Sequence, residues 1–334
     1  MRAFVITGPG QGVVRDVPPP AARAGEVVVD VDRAGVCGTD LEFFSGEMAY
    51  LHSGEASYPM RIGHEWSGVV TAVGSAGDEA WLGRRVTGDT MLGCGHCARC
   101  TSGRQHLCAD RHEIGVRRGW PGALAAQLPV PVSALHELPP EVDATLGALV
   151  EPGANALRAV LAAQLVPGAR VLIMGPGTIG LLAASFAAAA GAEVHVLGLS
   201  LDFTRSLGFT HAWTADTLPE LPFDAVVDCS TASTLPARAI DLVEPGGRVV
   251  FIGIAEQPSL ADTRRLALKD VTAVGVLSGS GALAQTISAY AAGAVDPRPL
   301  VAATVTLDDA VAVLSGRRAP AWGPAPKIHI TPAS

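Results

Sequence analysis

After an apolar run, Val171 to Met174, six residues, Gly175-Pro176-Gly177-Thr178-Ile179-Gly180, lead into an alanine-rich stretch that begins at Thr178 and runs to Ala190. Alone, a G-x-G-x-x-G motif says little. Set between a strand and a helix it defines a βα unit: the first glycine makes a tight turn, the second lets a pyrophosphate approach the backbone, and the third lets the helix pack closely. The sequence supplies that setting and repeats it, with further strands expected at Glu193–Leu197, Asp224–Asp228, Arg248–Gly253 and Val271–Val276. Strands alternating with helices predict a parallel, doubly wound sheet. Gly175, Gly177, Thr178, Ile179 and Gly180 are therefore candidate dinucleotide-binding residues. The 22 residues from Val171 to Ala192 carry no charge and are long enough to span a bilayer. Their glycine interruption and isolation argue instead for a buried strand and helix.

The 334 residues are about twice a typical domain, so a second core is expected. From Arg2 to about Pro152 the chain reads as short β-branched runs such as Glu26–Val31 and Ser67–Val73, broken by Gly and Pro. The texture changes near Asn155 and turns mixed again near Leu277, ending in a strand at Lys327–Ile330. We expect a β-rich domain over residues 1–154, a dinucleotide-binding domain over 155–276, and a return to the first domain over 277–334. With 49% apolar and 17% charged residues, the chain is too apolar for disorder. Its net charge of −8 opposes a nucleic-acid-binding surface. The segment Met1 to Gly10 lacks the basic and apolar regions of a secretory leader, so a cytoplasmic protein is expected.

Four of the six cysteines fall within fifteen residues, as Cys94-x2-Cys97-x2-Cys100-x7-Cys108. Such crowding favours metal ligation over disulfides. Four thiolates close a tetrahedral shell, which makes the expected zinc structural. An iron–sulfur run would need C-x3-C-P at its end, whereas here seven residues intervene and Ala109 follows. His96 and His106 are expected to be exposed loop residues with no ligand role.

A second set is dispersed: Cys37 in GVCGTD (Gly35 to Asp40), His64 and Glu65 in GHEWSG (Gly63 to Gly68), and Glu151 before Pro152. A cysteine, a histidine and a carboxylate leave a tetrahedral zinc one open position, the arrangement of a catalytic site. Taken singly, each residue has an ordinary structural role: a buried thiol, a core histidine, a helix N-terminal carboxylate.

Together, GVCGTD, GHEWSG, the quartet, Glu151-Pro152 and GPGTIG resemble, in order and over essentially the whole chain, the medium-chain zinc-dependent alcohol and polyol dehydrogenases. The resemblance implies a GroES-like β-rich catalytic domain joined to a Rossmann-type doubly wound α/β domain, with one catalytic and one structural zinc per chain. It implies Cys37 and His64 as ligands of the catalytic zinc, with Glu65 or Glu151 as the third. It also implies that Asp40 orients His64 and that Thr39 takes the alcohol proton. The chain departs from the family's usual pattern in carrying Glu42 where a histidine forms the outer member of the proton relay. Glu151, standing where simple-alcohol enzymes have cysteine, makes the site similar to the polyol, sugar and aminocyclitol branch. VTGD (Val86 to Asp89) points the same way.

The end of the second strand, where an acid would hold the ribose 2′-hydroxyl of NAD, carries Gly198. Asp202 lies four residues further on. With no acid at that end, and Ser200 and Arg205 nearby, NADP is the expected cofactor, with NAD as the alternative. Cys229 is assigned no chemistry. The expectation is a hydride-transferring oxidoreductase acting on a secondary alcohol or ketone, forming a homodimer or homotetramer, with no nucleic-acid or membrane partner. The competing readings are a simple alcohol dehydrogenase and a non-catalytic NADPH-binding zinc protein.

Overall fold

The computed structural model describes residues 1–255 and 257–332. The chain divides into two units, Pro152–Ala282, and Met1–Glu151 with the segment from Leu283 onward. The exchanges thus fall a few residues from the expected 154/155 and 276/277. Pro152 lies within a continuous helix, Val150–Ala163. Gly279 packs tightly on Ala154 and Asn155 of the second unit, where an added Cβ would stand 2.7 Å from the Ala154 side chain.

The second unit is built on six parallel strands: β1 (Arg170–Met174), β2 (Glu193–Leu197), β3 (Ala212–Trp213), β4 (Phe223–Asp228), β5 (Val243–Phe251) and β6 (Thr272–Gly275). Their order is β3-β2-β1-β4-β5-β6, the doubly wound arrangement that reverses beside β1. β5 begins at Val243, before the expected Arg248, because its register slips opposite Phe223 and Ala225. Leu172, Met174, Val226 and Val249 form part of the core. The charge-free stretch is explained here. β1 is almost wholly buried, and the helix Thr178–Ala189 buries Leu181, Leu182, Phe186 and its alanine neighbours. At 12 residues that helix is about 18 Å long. Among the described residues no helix is long and apolar enough to cross a membrane.

The first unit is organised around the strand Glu26–Gly35, which pairs antiparallel with Glu65–Val73, Gln127–Pro131 and Lys327–Thr331. Val27, Val29, Val31, Trp66 and Leu128 build its core. Period-2 alternation therefore gives these strands one face turned into the apolar core. The strand Lys327–Thr331 brings the end of the chain back against its beginning, pairing His329 with Gly35 and Ile330 with Ala34. On its other side it runs parallel to Val301–Thr306.

Candidate metal centres and nucleotide site

The quartet converges as the spacing predicts. The ligand atoms of Cys94, Cys97, Cys100 and Cys108 lie within 4.8 Å of one another. Two sulfur pairs, Cys94–Cys100 and Cys97–Cys108, are 3.9 and 3.8 Å apart. A tetrahedron with metal–sulfur bonds of about 2.3 Å has edges of about 3.8 Å, so the shell matches zinc without rearrangement. Burial pushes the Cys100 thiol up to about 12, a cost that a bound cation would remove by holding the thiolate. Gly93 is required beside it, since a Cβ there would stand 2.5 Å from the Cys100 sulfur. His96 is exposed, its Nδ1 on the carbonyl of Cys94. His106 corrects the expectation of an exposed residue. It is 6% exposed, because the turn Gln105–Leu107 directs His106 inward and Leu107 outward.

A second group joins Cys37, His64 and Glu65, with ligand atoms again within 4.8 Å of one another. Cys37 is the N-cap of the helix Gly38–Ser45, and Asp40 is its third residue. Asp40 is fully buried and ties the two ligand loops together. One carboxylate oxygen accepts from the backbone N–H of Cys37 at 2.9 Å, and the other from that of Gly63 at 3.1 Å. The second oxygen lies 3.6 Å from His64 Nδ1, beyond hydrogen-bond length. Burial pushes the imidazole down, yet the adjacent Asp40 carboxylate and Cys37 more than offset this and hold it well above its ordinary value. With Nδ1 turned to Asp40, Nε2 is the nitrogen left to meet a cation.

Glu65 closes this group, whereas Glu151 lies outside it, half-buried on the first turn of Val150–Ala163. A Cβ at Gly35 would fall 2.1 Å from Glu65 Oε2, so glycine there makes room for the carboxylate. Lys327 donates to both Glu65 oxygens at 2.7 Å and to the Val36 carbonyl at 2.9 Å. Burial alone would push the Lys327 ammonium down, but Glu65 and its neighbours hold it above the usual value. Reasoning from sequence missed Lys327. The signal was present in Lys-Ile-His-Ile, which alternates polar and apolar residues over the four buried positions of the strand Lys327–Thr331. His329, on the same face, is fully buried with no hydrogen-bond partner for either ring nitrogen among the described residues. Burial, reinforced by Lys327 and Arg33, pushes it down to about 3.

The quartet loop reaches His64 through two adjacent side chains that sequence reasoning also missed. Gln105 donates to Asp89 at 2.8 Å, and the next residue, Thr90, donates its hydroxyl to the His64 carbonyl at 3.3 Å. Thr39 and Glu42 lie half-buried on the helix that Cys37 caps.

A third cluster, Glu193, His195 and His211 in the second unit, meets the same distance test but not the chemistry. His195 Nε2 is 2.8 Å from Glu193, and its Nδ1 accepts from the Trp213 indole N–H at 3.0 Å. The two imidazoles stack at 4.6 Å and 12°, so their in-plane lone pairs cannot converge on one ion.

The glycine motif has the geometry its spacing predicts. Gly175 has φ +91°. A Cβ at Gly180 would stand 1.9 Å from the Gly175 carbonyl, whereas one at Gly177 would meet nothing within 4 Å. Gly177 caps the helix Thr178–Ala189, and no side chain caps its first N–H groups. Those groups, beginning at Thr178 and Ile179, suit a pyrophosphate. At the end of β2, Gly198 is followed by exposed Leu199 and Ser200. Arg205 donates to the Ala212 carbonyl at 3.0 Å and stands 3.6 Å from exposed Asp202.

Comparison with known proteins agrees with both units. A family described as alcohol dehydrogenase GroES-like domain matches residues 23–140, and one described as zinc-binding dehydrogenase matches residues 178–292. The L-threonine 3-dehydrogenase of Saccharopolyspora erythraea is 34% identical over 291 residues, covering 83% of each chain. That of Deinococcus radiodurans is 32% identical over 295 residues, covering 83% of this chain and 82% of the relative. Among solved structures, a zinc-binding dehydrogenase of Sinorhizobium meliloti bound to NADP superposes with TM-score 0.88 at 26% identity, covering 99% of both chains. An Escherichia coli alcohol dehydrogenase complexed with NADH superposes with TM-score 0.90 at 24% identity, again covering 99% of both, which bears on the fold alone. The chain belongs to the medium-chain zinc-binding dehydrogenases, with a GroES-like domain and a Rossmann domain, and is a zinc-dependent, NAD(P)-linked oxidoreductase acting on CH–OH groups.

Proposed function

We propose that the enzyme oxidises a secondary alcohol on a polyol, sugar or aminocyclitol skeleton, or reduces the matching ketone. The observation that carries this reading is the Cys37–His64–Glu65 group, in which a carboxylate rather than a second thiolate completes the donor set. The relatives' printed name, L-threonine 3-dehydrogenase, supports a secondary hydroxyl beside another polar substituent.

Cys37, His64 and Glu65 would hold the catalytic zinc, and the quartet the structural one. When bound, the catalytic zinc supplies Lewis-acid polarisation of the substrate hydroxyl and the nicotinamide supplies the hydride acceptor. The protein's own residues do the rest. Asp40 fixes the backbone of both ligand loops and faces His64 Nδ1. Thr39 presents the hydroxyl that takes the alcohol proton, and Glu42, one helical turn on, serves as the outer acceptor or binds a further substrate hydroxyl. Lys327 balances the buried charge of Glu65.

The end of β2 offers no carboxylate to a ribose 2′-hydroxyl, which supports NADP. Among the described residues of the second unit, β6 pairs with β5 on one side only, and Leu260 and Leu268 are 94% and 85% exposed. An open edge with apolar neighbours supports a homodimer or homotetramer. The test is turnover on polyols, sugars, cyclitols, L-threonine and simple alcohols with NAD and NADP. A polyhydroxy or amino-substituted secondary alcohol should give the highest kcat/KM. A higher value for a primary aliphatic alcohol would contradict the reading.

A further inference from the structure

A cavity of about 330 Å³ opens on the first unit, and none of its lining residues belongs to either proposed zinc site. Its floor is apolar, made by buried Val5, Ala56 and Val116, and one wall is Trp120. The indole is fixed, donating its N–H to the Pro129 carbonyl at 3.0 Å and meeting His112 edge-on at 5.9 Å. Two cations line the same space, Arg15 and Arg61.

These arginines stand apart from those around them. Arg111 is held by Glu113 at 2.8 Å, and Arg117 and Arg118 by Glu55 at 2.6 and 3.3 Å. Among the described residues, neither the Arg15 nor the Arg61 guanidinium has a hydrogen bond or an ion pair, although the chain carries 32 acidic side chains. Arg61 is half-buried, and burial pushes its guanidinium below the usual value. A partly desolvated guanidinium without an acceptor is costly, and a planar fork of donors matches a carboxylate or phosphate. An apolar floor, an immobilised aromatic wall and two unpaired cations define a ligand with an apolar body and an anionic head.

We propose that this cavity is a binding site for a small organic anion, a carboxylate or phosphate on an aromatic or branched aliphatic body. None of its lining residues is among those assigned to the alcohol chemistry, and the proposal does not depend on the substrate assigned above.

The test is calorimetric titration of the zinc-loaded, full-length protein, saturated with NADP, using benzoate as probe and its neutral analogue benzamide as control. Benzoate should bind once per chain and benzamide at least tenfold more weakly. Arg61→Met should weaken benzoate about tenfold, the scale of losing a charge-assisted contact, while Arg61→Lys should retain most of the affinity. Arg15→Met changes an exposed residue, leaves folding intact, and should weaken benzoate independently. Absence of saturable binding, equal binding of benzamide, or benzoate affinity unchanged in both methionine variants would overturn the proposal.

Discussion

The Nζ of Lys327 lies 2.7 Å from each carboxylate oxygen of Glu65, across 262 residues of sequence, and the two side chains are 3% and 1% exposed. Two charges taken this far out of water are stable only as a pair. The pair fixes the one carboxylate that the structure groups with Cys37 and His64, and it couples the end of the chain to the chemistry near its beginning.

With no metal at the Cys37–His64–Glu65 group, replacing Lys327 with methionine should therefore destabilise the protein by about 3–5 kcal/mol, because it leaves Glu65 charged with neither its ammonium partner nor a bound cation. Adding Glu65→Gln should recover a large part of the loss. Denaturant unfolding of the wild type, both single variants and the double variant measures this coupling. Additive losses would show that the pair does not act as a unit.

His329 makes stability depend on pH in a defined direction. Its folded-state value of about 3 lies below the unfolded value of about 6.5. The neutral ring thus contributes stability that is complete above about pH 6.5 and is lost as the pH falls toward 3. Between about pH 6 and 4 the wild type should lose up to about 1.4 kcal/mol per pH unit more than His329→Leu. Protonation of the zinc ligands acts on both proteins and cancels in the difference. Parallel stability profiles from pH 7 to 4 would remove His329 from this role.

Cofactor choice is testable at the end of β2, but not by placing an acid at Gly198. A Cβ there would lie 2.4 Å from Pro176 Cγ, so the substitution would disturb the glycine turn itself. Leu199 is 98% exposed and accepts the change without strain. Leu199→Asp should shift the ratio of kcat/KM values from NADP toward NAD by repelling a 2′-phosphate. A wild type that already strongly prefers NAD would contradict the NADP assignment.

The parts of the molecule that are local in sequence were legible there. The quartet lies in one loop, and its spacing alone predicts the converged thiols. GPGTIG carries its strand and helix on either side, and each glycine has the backbone role its position implies. What was not legible depends on strand register. His329 pairs with Gly35, and Gly35 pairs in turn with Glu65. That double pairing brings Lys327 to Glu65, and no motif spans it. The link from Gln105 through Asp89 and Thr90 to His64 is hidden for the same reason, since each partner looks like an ordinary loop residue until the chain is folded. Glu65 and Glu151 both have the right chemistry, and that Glu65 lies within reach of Cys37 and His64 is visible only once the chain is folded.

The central claim is that the chain holds two zincs by separate ligand sets, one structural and one catalytic. Metal analysis of protein purified without added metal tests it most directly, in the wild type, in Cys37→Ala/His64→Ala and in Cys97→Ser. Two zincs per chain are expected in the wild type. The double variant should keep one zinc and a near-native melting temperature with no turnover, and Cys97→Ser should be strongly destabilised. A wild type with one zinc that survives in the double variant would contradict the catalytic site. A Cys97→Ser protein that keeps two zincs and melts like the wild type would contradict the structural one.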